Sequence, residues 1–284
     1  MEIRRLGVLG AGQMGAGIAQ IAASKGYAVA LYDISAELSD GAVLKIKSGL
    51  DKRVSQGKET RESADMTVAN ITATARIEDM ADCDIVIEAI PEILELKRKV
   101  FSELGRVCRS DAVLCTNTSS MSVTKITEEC ANPERCAGMH FFFPVTAMRL
   151  VEIIRGERTS DAAVEAVKAL AEGMGKTPVL CKTDTPGFIV NRCLFAFMLE
   201  AVRCYEDGVA SIEDIDIAMK LGLNHPLGPF ELMDLSGLDT FPHVCDTLQA
   251  LPVTDWSTPE AVNRKIADGK VGRKCGSGWY EYEK

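Results

Sequence analysis

The sequence predicts an α/β fold in which a Rossmann-type, doubly wound sheet is followed by an all-helical C-terminal domain. Up to about residue 182, short apolar stretches alternate with amphipathic ones, as in a parallel sheet covered by helices. A glycine-rich turn follows the first apolar stretch, and beyond residue 184 only helical patterns remain. We therefore predict a first domain over 1–184 and a second over 185–284.

The first turn reads GAGQMG over residues 10–15, after an apolar run at 6–9 and before a helical stretch. In this GxGxxG spacing, Gly10 permits the tight turn, Gly12 lets the backbone approach a diphosphate, and Gly15 lets the helix pack closely on the strand. The helix N-terminus also offers N–H groups and a positive dipole end to phosphates. The pattern predicts a dinucleotide site, although the spacing alone would also suit a flexible turn.

Asp33 ends the second apolar run, at 27–32, and lies 23 residues after Gly10. An acidic residue at this distance meets the adenosine ribose hydroxyls. Ile34 and Ser35 follow it instead of an arginine, and a carboxylate repels a 2′-phosphate, so the sequence favours NAD over NADP. Without the glycine turn, Asp33 would be interpreted as a solvated carboxylate at a strand end.

Composition argues against several classes of protein. The 284 residues are 46% apolar, which is enough for a sizeable core, and no apolar run is long enough to cross a membrane. The N-terminus leads straight into the first strand, so no signal peptide is expected. The ten cysteines are scattered, which predicts reduced thiols, a cytoplasmic location and no metal site. The net charge of −9 argues against nucleic-acid binding.

Periodicity predicts the remaining elements in order. In the first domain, helices are predicted from Ser35 past Lys52, from Glu92 onward and at 161–173, and strands at 71–74, 83–90, 112–116, 150–154 and 177–181. In the second domain, helices are predicted at 188–206, from Ser211 onward and at 230–251. The stretch 193–199 is apolar on nearly all sides, so it must be buried, and one face could pack on a second subunit.

Two polar segments are candidates for ligand contact. Residues 45–58 carry five cations on an acidic protein, which indicates either a solvated helix face or a contact for a phosphorylated substrate. The segment 117–120, NTSS, follows the strand at 112–116, and polar residues at the carboxyl end of a parallel strand face the ligand crevice. Ser122 is a plausible N-cap for the next helix, so some of these hydroxyls could serve only as caps.

Three histidines, His140, His225 and His243, are candidates for the base that an alcohol-oxidising nicotinamide enzyme needs, since an imidazole pKa lies near neutral pH. His140 ends a strand, and Glu152 lies 12 residues on, in a strand that could return beside it. A carboxylate on the far ring nitrogen would fix the tautomer and stabilise the imidazolium. The alternative is a strand-end histidine without this role and an exposed edge carboxylate.

The motifs occur in one chain in a specific order. After GAGQMG come NTSS at 117–120, HFF at 140–142, LVE at 150–152, DTPGFIVNR at 184–192, HPLGPFEL at 225–232 and GRK at 272–274. With this combination, the chain resembles the bacterial L-3-hydroxyacyl-CoA dehydrogenases, particularly the 3-hydroxybutyryl-CoA dehydrogenases, over essentially its whole length.

The resemblance implies roles for five residues. His140 would be the general base, Glu152 would orient it, and Ser119 would bind the 3-oxygen of the substrate. Asn191 would contact the reacting region. Lys52 would bind a coenzyme A phosphate.

The resemblance also implies a set of residues that contact NAD. Glu92 and Lys97 would line the nicotinamide half of the site. The full set is Gly10, Gly12, Gln13, Met14, Gly15, Asp33, Ala89, Glu92, Lys97, Asn117 and Ser119. A second lysine that the family often has for the substrate phosphates is Gln56 here. His225 would be structural, and His243 matches no functional position.

The activity implied by the resemblance is NAD-dependent oxidation of (S)-3-hydroxyacyl-CoA to 3-ketoacyl-CoA, or the reverse reduction. A short acyl chain such as 3-hydroxybutyryl is expected, in fatty acid or butanoate metabolism. The helical domain would mediate homodimerisation and close over the cleft. Two alternatives are a related 3-hydroxy acid dehydrogenase that does not use coenzyme A and a non-catalytic NAD-binding protein.

One residue departs from the family pattern. The family usually reads HFFNP, and this chain has Phe143 in place of the asparagine. Phe143 could be a core residue, as part of the aromatic run that starts at Phe141. If its ring instead faces the substrate, it replaces a polar partner with apolar surface and would favour a bulkier acyl group.

Overall fold

The computed structural model describes residues 2–251 and 256–282. The chain forms two compact units, which divide between Thr185 and Pro186, and each unit has its own hydrophobic core. The first unit contains the sheet, and the second is helical. Within the described ranges, no helix is long and apolar enough to cross a bilayer.

One sheet organises the first unit. Its strands are β1 (Arg5–Leu9), β2 (Ala28–Tyr32), β3 (Ile71–Thr74), β4 (Ile85–Glu88), β5 (Val113–Thr116), β6 (Cys136–Phe141), β7 (Leu150–Ile154) and β8 (Thr177–Cys181). Their order across the sheet is β3-β2-β1-β4-β5-β6-β7-β8. The strands β1 to β6 run parallel, β7 runs antiparallel to β6, and β8 is parallel to β7. The predicted doubly wound fold is confirmed, with two reversed strands at one edge.

The helices of the first unit begin at side-chain caps in four cases. They are α1 (Gln13–Ser24), α2 (Ala36–Ser55), α3 (Arg61–Ala69), α4 (Leu94–Val107), α5 (Val123–Ile126) and α6 (Asp161–Gly173). Ser35, Thr60, Ser122 and Ser160 each accept a hydrogen bond from the backbone N–H three residues on. The cap that the sequence predicts at Ser122 is therefore present.

The central strands of the sheet are buried on both faces, whereas the edge strand β8 is largely exposed. Successive side chains of a strand point to opposite faces. Ile85 and Ile87 accordingly belong to one apolar cluster, and Val86 belongs to another. This two-sided burial explains why the sequence of β4 is a nearly continuous apolar run rather than an alternating one.

The reversal between β6 and β7 fixes the register of two polar side chains. Phe141 pairs with Val151, His140 with Glu152, and Gly138 with Ile154. A Cβ added to Gly138 would lie 2.7 Å from the Cβ of Ile154, so only glycine lets the strands pair in this register.

The second unit differs from the sequence prediction in one place. Its helices, within the described residues, are α7 (Val190–Glu206), α8 (Ile212–Leu223), α9 (Pro229–Ser236), α10 (Phe241–Leu248) and α11 (Glu260–Ala267). The prediction of one helix over 230–251 is wrong, because the chain breaks at Gly237. Gly237 has φ +92°, a conformation that a helix cannot contain and that residues with a Cβ rarely adopt.

Two buried carboxylates hold the C-terminal segment against the helices of the second unit. Asp234 accepts hydrogen bonds from the N–H groups of Trp279 and Tyr280, at 2.9 and 3.0 Å. Asp216 accepts from the Tyr280 hydroxyl and from the Phe230 N–H, at 2.8 and 2.9 Å. The two carboxylates thus satisfy backbone N–H groups and a tyrosine hydroxyl inside this small core, although the indole N–H groups of Trp256 and Trp279 have no hydrogen-bond partner among the described residues.

Candidate active site

The glycine turn has the close approaches that its spacing predicts. Gly10 has φ +93°, and its N–H donates to the carbonyl of Tyr32 at 2.8 Å. A Cβ added to Gly10 would lie 2.5 Å from the carbonyl oxygen of Ala89. A Cβ added to Gly15 would lie only 1.7 Å from the carbonyl oxygen of Gly10. Glycine at position 15 therefore lets α1 begin this close to β1, and glycine at position 10 lets the turn lie against the residue that follows β4.

A cleft of about 630 Å³ opens at the carboxyl ends of β1, β2 and β4. Its walls include Gly10, Gly12, Gln13, Met14, Tyr32, Asp33, Ala89, Ile90 and Glu92. A Cβ added to Gly12 would meet no atom within 4 Å, so the backbone there faces open space. Gly12 is the N-cap of α1 and supplies no side chain to its first N–H groups. The turn and the helix N-terminus thus fit a dinucleotide diphosphate.

Asp33 follows β2 and lies in the same cleft. Its Oδ2 accepts a hydrogen bond from the Ala11 N–H, and its Oδ1 accepts one from the Ile34 N–H, both at 2.7 Å. Each carboxylate oxygen can accept a second hydrogen bond. The carboxylate can therefore support the glycine turn and bind ribose hydroxyls at the same time.

A cluster of three charged side chains lies at the end of β4, in which Lys97 and Glu88 are buried and Glu92 is partly exposed. The Nζ of Lys97 is 2.6 Å from Glu88 Oε1 and 3.2 Å from Glu92 Oε2. Burial raises the pKa of Glu88, and the charge of Lys97 opposes that rise. Burial also acts to raise the pKa of Glu92, but the charge of Lys97 and the hydrogen bond from Ser119 lower it overall. Sequence reasoning missed Glu88, although an acid inside an apolar run was a signal.

Glu92 also holds the polar loop that follows β5. Its Oε1 accepts hydrogen bonds from the Ser119 N–H at 2.7 Å and from the Thr118 hydroxyl at 2.9 Å. Because this carboxylate is directed at the loop, α4 begins at Leu94 and not at Glu92 as predicted. Asn117 Oδ1 accepts from the Phe141 N–H at 2.9 Å and joins the end of β5 to β6.

His140 and Glu152 form a buried pair. His140 Nδ1 lies 2.8 Å from Glu152 Oε2, and the two residues are 5% and 1% exposed. The alternative interpretation of Glu152 as an exposed edge carboxylate is therefore wrong. A carboxylate only accepts hydrogen bonds, so Nδ1 carries the proton and the basic lone pair is on Nε2. Since β5 and β6 are parallel neighbours, the Ser119 loop and His140 lie at the same edge of the sheet.

Two residues predicted to belong to the site, Lys52 and Asn191, lie on helices and not in the segments that follow β1, β2, β4 and β5. Lys52 is exposed in the last turn of α2, and Asn191 is in the first turn of α7, in the second unit. His225, expected to be structural, packs against the ring of Phe197 at 5.5 Å. Within the described ranges, no group of three or more His, Cys, Asp or Glu side chains could hold a metal ion.

Comparison with models of known protein families shows to which family the chain belongs. The family model described as the 3-hydroxyacyl-CoA dehydrogenase NAD-binding domain matches residues 5–185, and the one described as the C-terminal domain matches residues 187–282. The chain belongs to the 3-hydroxyacyl-CoA dehydrogenase family. The predicted family, the NAD cofactor and the predicted enzyme class are thereby confirmed.

Three similar proteins each match at least 99% of this chain. A 3-hydroxybutyryl-CoA dehydrogenase of Bradyrhizobium diazoefficiens is 41% identical over 281 residues, which are 99% of this chain and 96% of that protein. A 3-hydroxyadipyl-CoA dehydrogenase of Escherichia coli is 42% identical over 284 residues, which are 99% of this chain and 60% of that protein. The crystal structure of (S)-3-hydroxybutyryl-CoA dehydrogenase from Ralstonia eutropha has a TM-score of 0.94 and 39% identity, and all of both chains is covered.

We expect this dehydrogenase to oxidise NADH at least about fivefold more efficiently than NADPH, measured as kcat/KM. The repulsion between the Asp33 carboxylate and one charge of a 2′-phosphate about 4 Å away amounts to about 1–4 kcal/mol. Asp33→Ser should reduce the preference, whereas Asp40→Ser, an exposed acid on α2, should leave it unchanged. Equal rates with both cofactors in the unmodified enzyme would remove the role of Asp33.

Proposed function

We propose that this enzyme oxidises short-chain (S)-3-hydroxyacyl-CoA, such as 3-hydroxybutyryl-CoA, to 3-ketoacyl-CoA, or catalyses the reverse reduction, in fatty acid or butanoate metabolism. The observation that carries this proposal is the buried His140–Glu152 pair at the edge of a sheet that also bears the glycine-lined cleft. The names of the Bradyrhizobium and Ralstonia proteins support a short acyl chain. A spectrophotometric assay with acetoacetyl-CoA and NADH tests it directly.

The NAD site comprises the cleft and the residues that shape it. The diphosphate would lie on the turn formed by Gly10, Gly12, Gln13, Met14 and Gly15, with the ribose on Asp33. Ala89, Glu92, Asn117 and Ser119 would border the nicotinamide half. Lys97 is buried between carboxylates, so it acts as a positioning residue through Glu88 and Glu92. When bound, NAD accepts the hydride that leaves C3 of the substrate.

The His140–Glu152 pair moves the proton. In the oxidative direction, His140 Nε2 takes the proton of the 3-hydroxyl group. Its Nδ1–H donates to Glu152, which fixes the tautomer and stabilises the imidazolium that forms. In the reductive direction the same imidazolium returns the proton to the 3-oxygen.

Other side chains position the substrate. Ser119 would hold the 3-oxygen, and Asn191 the reacting region. A positioned hydrogen-bond donor of this kind can lower a barrier by about 3 kcal/mol. Lys52 would bind a phosphate of coenzyme A, supported by its position in the cationic stretch at the end of α2.

Replacing the proposed base, His140, should lower the rate of the reaction without weakening the binding of the cofactor. We expect His140→Gln to lower kcat by at least about 100-fold, the usual contribution of general acid–base catalysis, with the Kd for NADH nearly unchanged. Glu152→Gln should act in the same direction because it removes the charge that supports the imidazolium. His243→Gln is the matched control, and thermal unfolding verifies that each variant folds. A wild-type kcat in His140→Gln would place the base elsewhere.

Phe143 is exposed near the proposed base. The residue is 62% exposed and lies in the turn between β6 and β7, so the interpretation as a core residue is wrong. We propose that this ring packs on the acyl group of the substrate. Relatives of nearly equal identity are named for butyryl and adipyl thioesters, so overall identity does not define the acyl group.

Replacing this ring should change the relative rates with short and bulky substrates. Phe143→Asn should raise kcat/KM for acetoacetyl-CoA relative to longer or aromatic 3-ketoacyl-CoA by about three- to tenfold. A contact of about 40 Å² of apolar surface contributes about 1 kcal/mol, which is the basis of this range. Met148→Asn, at a second exposed apolar residue of the same turn, is the control. An unchanged ratio would show that the ring does not contact the acyl group.

We also propose that the enzyme is a cytoplasmic homodimer that associates through its second unit. All ten cysteines are free thiols, which supports a reducing compartment. The helix α8 exposes Ile217 and Leu221, which are four residues apart on one helical face, and Leu221 is 81% exposed. Large apolar side chains grouped in this way are typical of a surface that a partner covers.

Light scattering at micromolar concentration should give the mass of a dimer. Leu221→Glu should increase the monomer fraction, because it would bury a charge in the interface. Leu44→Glu, at an exposed leucine on α2, should not. A monomeric wild-type protein would contradict the proposal.

A further inference from the structure

Two cysteines touch each other outside the proposed active site. Cys130 lies in the turn after α5, and Cys136 is the first residue of β6. Their Sγ atoms are 3.6 Å apart, and both residues are buried. Cys108, in the same apolar cluster, donates instead to the carbonyl of Met80 at 3.5 Å. The thiol of Cys108 is thus directed at a carbonyl and not at this pair.

A buried cation lies beside the pair. The guanidinium of Arg135 donates to the carbonyl of Gly105 at 3.1 Å, and its Nε has no hydrogen-bond partner among the described residues. The hydrogen bond from the Cys136 thiol, together with the charge of Arg135, lowers the pKa of the Cys130 thiol against the effect of its burial. The same contact and burial raise the pKa of Cys136. Cys130, which is 5% exposed whereas Cys136 is fully buried, is also the more accessible of the two thiols.

The local structure allows the two sulfurs to come closer. A disulfide needs an S–S distance of about 2.05 Å, so the sulfurs must approach by about 1.5 Å. Cys136 is held by the pairing of β6 with β5, whereas Cys130 lies in a turn between the exposed residues Glu129 and Ala131. The turn is therefore the part that moves, and its exposed neighbours give a small oxidant a short path to Cys130.

We propose that Cys130 and Cys136 are a modification site that forms a reversible disulfide with hydrogen peroxide as oxidant. The Cys130 thiolate attacks one peroxide oxygen, the O–O bond breaks, and Cys130 becomes a sulfenic acid as the first water leaves. Cys136 then attacks the Cys130 sulfur, its proton leaves with the sulfenyl oxygen as a second water, and the S–S bond forms. Two thiols lose two electrons and two protons, and one peroxide is reduced to two waters. A dithiol reductant reverses the step by thiol–disulfide exchange.

Peptide mapping of the folded, full-length protein tests this pair directly. After brief treatment with a small excess of hydrogen peroxide, remaining thiols are alkylated in denaturant and the protein is digested with trypsin without reduction. Cleavage after Lys125, Arg135 and Arg149 places the two cysteines on separate peptides, 126–135 and 136–149, with one cysteine each. We expect these peptides to be recovered as one linked species, which dithiothreitol separates.

Variants identify the pair without relying on activity. Cys130→Ser should abolish the linked species and leave Cys136 open to alkylation, whereas Cys275→Ser, at an exposed thiol, should leave the link intact. If Cys130→Ser does not fold, the peptide map of the wild-type protein is sufficient by itself to test the proposal. Recovery of both peptides as alkylated monomers, under conditions that oxidise the exposed Cys193 and Cys275, would overturn the proposal. A link that forms only in denaturant, or one that joins Cys130 to Cys108, would also overturn it.

Discussion

One buried ammonium group organises the polar edge of the sheet. Lys97 joins the carboxylate at the end of β4 to that of Glu92, and Glu92 in turn holds the Ser119 N–H. Loss of one partner from a buried ion pair typically costs about 3–5 kcal/mol, because the remaining charge is uncompensated. Without Lys97, the buried carboxylate of Glu88 would have no cation beside it and would lie near a second, partly exposed carboxylate, that of Glu92. The position of the Ser119 loop therefore depends on a lysine that is itself too buried to contact a substrate.

The proposed base depends on strand register in a similar way. Directly paired residues of an antiparallel ladder lie on one face with their Cβ atoms about 5 Å apart, which suits the bond between His140 and Glu152. A slip of one residue would move Glu152 to the opposite face of the sheet. Gly138, opposite Ile154, has no room for a Cβ and so helps to exclude other registers. A glycine two residues before the histidine thus contributes to the geometry of the pair.

The sequence predicts most elements of the first unit because their periodicity is strong. The predicted bounds of α6, β3, β7 and β8 match those of the structure. The break at Gly237 escaped prediction, since apolar spacing continues across it and only the backbone conformation reveals it. The partner of Glu88 was equally unpredictable, because the sequence does not say which cation a buried acid meets.

Phe143 shows where a sequence pattern stops being informative. Phe141 and Phe143 are two residues apart, which in a strand would give them the same environment. The strand ends at Phe141, however, and beyond it the alternation no longer applies, so Phe141 is buried and Phe143 is exposed. A similar limit applies to Asp33, whose spacing predicts a ribose contact but not the hydrogen bond to the Ala11 N–H. That bond holds the Asp33 carboxylate against the glycine turn. The charge that we expect to select NAD over NADP and the turn that we expect to receive the diphosphate are therefore fixed relative to each other.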